Sequence, residues 1–444
     1  MTHQQRIIWP WETRDWPTTK SKFTEKMNSI VDMDTRVSTM HRGRVKPRQI
    51  TELFNAYYSS DQKDKVSKEH FINDILPMMQ KFVETAPKTF RGFNSVVLFD
   101  NIALNRLQVA TVITCMWFGL LEYDYLSGGK LLLEEFPEPT FTKVFNSQNL
   151  FALSCLLNYF NRVYEYMYTD DDTKNTFTAG NIIIKRNVLK PIDWSTNTKP
   201  INEIFVGEGN VDDSSAKLHT VYAHEFIGGN MFKEGLTPEE TLLLIRPECL
   251  IMTLFCKRME VNEAYVLMGA EKMSQYKGYG SSVTFAGDYR DTSPRGYSVD
   301  ETEVMLQHAA IFIDATPKTA GHSQYVHEFD RDLNKAYCGY SALEFKNQTQ
   351  VSSGNWTYGF NGSAMQVKFI QQVLAASAAN KCLAYHAFGR DFEDKIIPFI
   401  DWIQRNKKTV ADIYNAYKQL ITESYSGPHS RLADLDIFEC LMEA

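Results

Sequence analysis

Near residue 200 the hydrophobic rhythm of this 444-residue chain changes, and that change constrains the fold more than any other feature. Before it, residues 49–59, 70–82, 104–121 and 149–168 each carry apolar side chains at the spacing of a helix with one buried face. After it, short apolar runs at 218–223, 264–270, 309–315 and 382–387 alternate with helical stretches at 239–259, 329–337 and 364–379. Strands alternating with helices predict an α/β layer architecture with a largely buried sheet. Two long helices follow at 392–406 and 409–425, and Ser426-Gly427-Pro428 stops the second. The expected organisation is a mainly helical N-terminal region over 1–195, an α/β domain over 196–425, and a tail over 426–444 with room for one short helix. Loops are expected at 126–142, at the acidic triplet Asp170-Asp171-Asp172, and at 281–300. No internal repeat is visible.

A net charge of −7, from 47 basic and 54 acidic residues, argues against a broad electrostatic grip on nucleic acid or an anionic membrane. A small anion held by backbone amides remains compatible with it. The longest apolar run, 109–121, stops short of a membrane span and reads as a core helix. The seven cysteines are scattered, odd in number and without Cys/His metal spacing, so reduced thiols in a cytosolic or nuclear protein are expected. The first residues lack the apolar stretch of a signal peptide, and the Asn-x-Ser/Thr triplets at Asn347, Asn355 and Asn361 are read as chance. No metal site or cofactor is expected.

Residues 221–245 are the segment able to carry chemistry. They read as a strand, a loop with Gly228-Gly229, and a helix start at Thr237-Pro238-Glu239-Glu240. Paired glycines let a backbone approach a ligand closely and aim amides at a diphosphate, although a plain turn uses them too. Thr237 suits an N-cap, Pro238 the first helical position, and Glu240 the third residue of a capping box. That structural account competes with a chemical one. Glycoside cleavage needs one carboxylic acid to protonate the leaving oxygen and a carboxylate to activate water or steady an oxocarbenium ion.

The run Gly228-Gly229-Asn230, seven residues, then Pro238-Glu239-Glu240 resembles the signature of the poly(ADP-ribose) glycohydrolases, usually Gly-Gly-Gly followed by Gln-Glu-Glu. The similarity continues, in order, through Arg246-Pro247-Glu248, Tyr276-Lys277-Gly278-Tyr279, the 333–339 stretch, Gly354-Asn355-Trp356, 375–379 and Phe388-Gly389. The resemblance implies a macrodomain-like three-layer α/β/α fold with a mixed sheet, preceded by a helical region. It implies hydrolysis of ribose–ribose O-glycosidic bonds in poly(ADP-ribose), releasing ADP-ribose without a cofactor. The partners it implies are poly(ADP-ribose) or ADP-ribosylated proteins, in the nucleus or cytoplasm, with no membrane and no sequence-specific nucleic acid. By resemblance Glu240 is the acid/base and Glu239 holds a substrate ribose. Gly228, Gly229 and the amide of Asn230 cradle the diphosphate. Val211 and Asp212 read the adenine, His224 contacts ribose, and Tyr279, Asn355 and Phe388 line the ligand.

Several positions depart from the family pattern. Asn230 replaces a third glycine, Pro238 a glutamine, Val221 an aspartate and His224 an asparagine. Asn361 stands where an aromatic is usual, and Ser363-Ala364 replaces Gly-Asp. Both glutamates are retained while their surroundings change, so the alternative reading is a weak or inactive enzyme that binds ADP-ribose or its polymer.

Overall fold

The computed structural model describes residues 7–93, 101–123, 140–207, 209, 211–228, 236–290, 308–314, 324–342, 347–356, 362–387, 390–425 and 435–443. The chain divides into two compact units. The first takes residues 1–184, 226–258 and 267–307, and the second takes 185–225, 259–266 and 308–444.

The first unit is mainly helical. The expected helices appear as Gln49–Ser59 and Leu150–Tyr168, the second capped by Asn149 accepting from the amide of Ala152. The 70–82 stretch is part of a longer run, from Lys68–His70 through a π turn at Phe71–Ile75 to Leu76–Thr89. The 104–121 helix is shorter, Arg106–Trp117. Asn105 and Gln108 close a reciprocal capping box that starts it, and Asn101–Asn105 ahead of it is a strand. It is the core helix its composition predicts, with Val109 to Phe118 buried throughout. At its end Trp117 meets Phe145 and Phe160 edge-on, with ring centroids 5.2 and 5.7 Å away.

Three expectations in this unit need correction. The acidic triplet is no open loop: Asp170 accepts from the amide of Thr173 and caps the helix Asp171–Ala179, with two acids at its positive end. The 239–259 helix breaks at proline. Pro238–Ile245 ends at Arg246, whose φ of −121° and ψ of 70° suit a residue before proline, and Pro247–Ile251 and Met252–Phe255 follow as shorter turns. The 281–300 loop contains the strand Thr284–Asp288, which pairs antiparallel with Ser274–Lys277; residues 291–300 lie outside the described residues. Of the 126–142 loop, 126–139 also lie outside them, and Thr142 opens the short helix Thr142–Asn146.

Buried charges tie this unit together. Arg246 donates to Ala270 O at 3.1 Å, and Glu248 accepts from the amide of Glu271 at 2.9 Å. Arg106 pairs with Glu248 and donates to Gly269 O at 2.7 Å. Arg162 reaches Glu271 and Asp288, each at 3.1 Å, at the base of the hairpin. Charges this deep persist only when paired, which gives Arg246-Pro247-Glu248 a structural reason.

The second unit is built on a sheet. Ala309–Asp314, Leu218–Ala223, Gln350–Gly354, Cys382–His386 and Ile204–Gly207 lie side by side in that order, all parallel. Residues 185–188 of the strand Asn181–Val188 and 263–266 of Glu263–Met268 continue it beyond Ala309–Asp314. The sheet is mixed and carries helices, as the α/β/α layering predicts. Asn181–Val188 falls in the stretch expected to be helical; its consecutive Ile182, Ile183 and Ile184 are stiff, β-branched residues suited to a strand. The helices Gln324–Tyr340 and Gly362–Ala378 pack on each other, and Gly339 lets the first approach the sheet, since a Cβ there would lie 2.5 Å from Ile311 Cγ2. Arg331 and Lys335 pair with Asp314 at the end of its strand. The last helices are Arg390–Arg405, Val410–Tyr425 and the short Ile437–Glu443.

The register aligns Asp314 with Ala223, Gly354 with His386, and His386 with Gly207. The carboxyl ends of these strands therefore share one edge, the edge where open α/β sheets take their ligands. Among the described residues no helix is long and apolar enough to cross a membrane.

Candidate active site

In the first unit, the segment before Pro238–Ile245 and the helix start itself bring three of the candidate residues into view: Gly228, Glu239 and Glu240. Gly228 adopts φ +70°, a left-handed conformation that strains any side-chain-bearing residue. Its amide donates to Glu239 Oε1 at 2.8 Å, so one glutamate of the pair fixes the glycine turn. Glu240 closes the capping box: its Oε2 accepts from the amide of Thr237 at 2.7 Å, and its amide donates to Thr237 Oγ1 at 3.3 Å. Both carboxylates are buried, each 3% exposed.

The cap orients Glu240 without consuming it. Oε2 spends a lone pair on the Thr237 amide, while no hydrogen bond among the described residues involves Oε1. A proton on this carboxyl group therefore belongs on Oε1, the oxygen left able to donate it. The structural and the chemical accounts of Thr237–Glu240 are compatible: the cap fixes the Glu240 carboxylate through one oxygen.

Leu236, just before the cap, forms an antiparallel bridge with Gly280. Tyr279 sits beside it on a tight turn. Gly278 and Gly280 take φ +82° and +59°, Tyr279 N donates to Ser282 Oγ, and that hydroxyl donates back to Tyr279 O. A Cβ on Gly278 would lie 2.2 Å from Ser282 O, so only glycine allows the turn. It displays Tyr279 with 61% of its surface exposed.

The second unit carries Val211, Asp212, His224 and Asn355. Val211–Asp213 is a single 3-10 turn. His219 Nδ1 lies 2.8 Å from Val211 O, and Ser352 Oγ donates to the same carbonyl at 3.2 Å. Because that carbonyl only accepts, the His219 proton is on Nδ1. His224 follows directly on Ala223 at the carboxyl edge and is half-buried. Val221 lies inside the same strand opposite Phe312 and is 3% exposed. Asn355 follows Gly354 at the edge, and its Oδ1 accepts from Tyr385 Oη at 2.8 Å.

Gly229, Asn230, Phe388 and Asn361 lie outside the described residues. Tyr385, Tyr222 and Gln372 are residues that sequence reasoning passed over. Each sits on a strand or helix face where an apolar-aromatic pattern reads as core, and only their hydroxyl or amide partners distinguish them. All seven cysteines are free, five of them buried, and burial pushes the Cys338 thiol up to about 12. Among the described residues no group of three His, Cys, Asp or Glu is placed to hold a metal ion.

Comparison with known proteins agrees with this division of labour. Residues 191–394 match the family model described as poly(ADP-ribose) glycohydrolase, Macro domain fold, and residues 62–186 match the model of its helical domain. The chain is 26% identical over 346 residues to "Probable poly(ADP-ribose) glycohydrolase 2" of Arabidopsis thaliana, covering 65% of this chain and 62% of that protein. It is 28% identical over 203 residues to "Poly(ADP-ribose) glycohydrolase 1" of Caenorhabditis elegans, covering 42% of this chain and 25% of that one. The chain thus spans less than two thirds of the length of these relatives. With both a helical and a macrodomain match in order, together well over half of its length, the chain belongs to the poly(ADP-ribose) glycohydrolase family.

Proposed function

We propose that the protein hydrolyses ribose–ribose O-glycosidic bonds in poly(ADP-ribose) and releases ADP-ribose. The observation that carries this reading is the buried Glu239-Glu240 pair, with one glutamate bonded to the Gly228 amide and the other held by its cap with Oε1 unbonded among the described residues. Glu240 donates its proton from Oε1 to the leaving ribose oxygen as the glycosidic C–O bond breaks. Water then attacks the oxocarbenium carbon, and the proton it sheds returns to Glu240. Glu239 keeps one oxygen on the glycine turn and bonds a substrate ribose through its carboxylate. The Gly229 and Asn230 amides bind the diphosphate on the turn that the Gly228–Glu239 bond sets; Val211, Asp212 and Phe388 hold the adenine; His224, Tyr279 and Asn355 supply further contacts.

The same reading makes poly(ADP-ribose), or proteins carrying it, the partner. It needs no cofactor and no sequence-specific contact with nucleic acid. Seven free thiols favour a reducing compartment, the nucleus or cytoplasm. The test is release of ADP-ribose from purified polymer by the parent and by Glu240→Gln, with ADP-ribose binding measured on both. Release by the parent that the variant lacks supports the proposal. Binding by both with release by neither favours a binding module derived from an enzyme.

A further inference from the structure

Asn355 is held more firmly than an edge turn requires. The peptide before it is gripped on both sides: Gly354 N donates to Tyr222 Oη, and Gln372 Nε2 donates to Gly354 O at 3.1 Å. Ser353 joins the network by donating to Gln372 Oε1 and lying 3.1 Å from Tyr222 Oη. With the backbone leading into Asn355 fixed, the amide group is what remains to be oriented.

Tyr385 orients it. Its ring is fully buried on the neighbouring strand, and its Oη donates to Asn355 Oδ1 at 2.8 Å. Burial above all, and then the nearby Tyr222 and Tyr340 phenols, push its ionisation well above the usual range, so it stays a neutral donor. A hydroxyl donating to Oδ1 dictates that the NH2 group faces the other way. There Nδ2 is shielded from water and has no hydrogen-bond partner among the described residues. Native proteins seldom leave a buried N–H unmatched, because its desolvation is not recovered. The opposite amide orientation would place Nδ2 on the phenol and strand an acceptor instead. A sugar diphosphate presents mainly acceptor oxygens, so the orientation that Tyr385 imposes is the one such a ligand can satisfy.

We infer that Tyr385 is a positioning residue that holds Asn355 so that Nδ2 donates to a phosphate or ribose oxygen of the bound ADP-ribose unit. The inference deepens the proposed function and rests on it. The experiment titrates ADP-ribose calorimetrically into the full chain as parent, Tyr385→Phe, Asn355→Ala and the double variant, with thermal melts alongside. Tyr385→Phe is expected to weaken binding about 5- to 10-fold, and Asn355→Ala at least as much. The double variant should match Asn355→Ala within about twofold, because without the amide the phenol has nothing to aim. Asn355→Asp keeps the shape and the Tyr385 bond but turns an acceptor toward the ligand. It should bind more weakly than the parent while melting near it, and it decides the matter if Asn355→Ala does not fold. On polymer, Tyr385→Phe should raise KM and leave kcat within about twofold. Losses that add in the double variant, or a Tyr385→Phe that melts lower yet binds as the parent does, overturn the inference and leave the proposed function standing. A parent that fails to bind ADP-ribose overturns both.

Discussion

Glu240 is both a helix cap and the proposed acid, and the two roles separate by substitution. Glu240→Gln leaves a carbonyl oxygen to accept from the Thr237 amide, so the cap at 2.7 Å survives and stability should change by no more than about 0.5 kcal/mol. The proton on the other oxygen is gone. Loss of general acid–base help lowers the rate by about 10²- to 10⁴-fold, or about 3–5 kcal/mol of transition-state stabilisation. Glu240→Ala removes the cap as well and should cost about 1 kcal/mol of stability in addition. Thr237→Ala is the converse control: it removes the hydroxyl that the Glu240 amide donates to, costs about 1 kcal/mol, and leaves the acid in place. Initial rates of ADP-ribose release and urea melts on the three variants provide the comparison. If Glu240→Gln releases ADP-ribose at the parent's rate, Glu240 is a cap and nothing more. If Thr237→Ala proves as inactive as Glu240→Gln while still folded, the rate depends on the helix start rather than on the proton.

Three further outcomes follow from buried charge. Glu248→Gln should destabilise the protein by about 3–5 kcal/mol, because Arg106 stays buried with Glu271, at 3.8 Å, as its remaining carboxylate among the described residues; replacing Arg106 and Glu248 together with methionine should recover much of that loss in urea melts. Burial pushes the Asp332 carboxyl up, but Lys368 and Arg331 outweigh it and hold it below the ordinary range. A depressed folded value stabilises the protein above the unfolded carboxyl value, about 3.9, and the benefit fades as pH falls through the folded one. Stability measured downward from pH 4 should therefore drop less steeply in Asp332→Asn than in the parent, and an unchanged slope would refute the assignment. Val221→Asp should cost at least about 1–3 kcal/mol, since it buries a carboxyl group opposite Phe312; a melt equal to the parent's would show that a polar partner reaches it.

Fold class was legible because periodicity survives wherever an element buries one face or is buried whole. The runs read at 218–223 and 309–315 appear as Leu218–Ala223 and Ala309–Asp314, strands buried along almost their whole length. Strands of another composition were not legible. Gln350–Gly354 carries two serines inward because they serve a hydrogen-bond network, and Thr284–Asp288 contains a buried glycine and one aromatic. Polar satisfaction, which decides both, depends on partners far along the chain and leaves no local pattern. Helix ends behaved differently again. Asn105, Asn149, Asp170 and Thr237 are capping types and each caps, but Asp170 stood in an acidic triplet whose solvated-loop reading concealed the helix behind it.

The candidate site was legible where spacing along one segment sets geometry. Eleven residues of chain lie between Gly228 and Glu240, and the same segment makes both the Gly228–Glu239 bond and the Thr237–Glu240 box. The residues that aim Asn355 are a different matter, since Tyr222, Gln372 and Tyr385 come from separate elements and look like core. The departures at Val221 and His224 also change meaning once burial is known. Val221 is buried within its strand opposite Phe312, so restoring an aspartate there tests stability before it tests catalysis. His224 stands just past the strand end, half-buried at the edge where open α/β sheets take their ligands. Of the two replacements, the one at residue 224 therefore lies at the ligand edge, while the one at 221 lies inside the strand and serves packing.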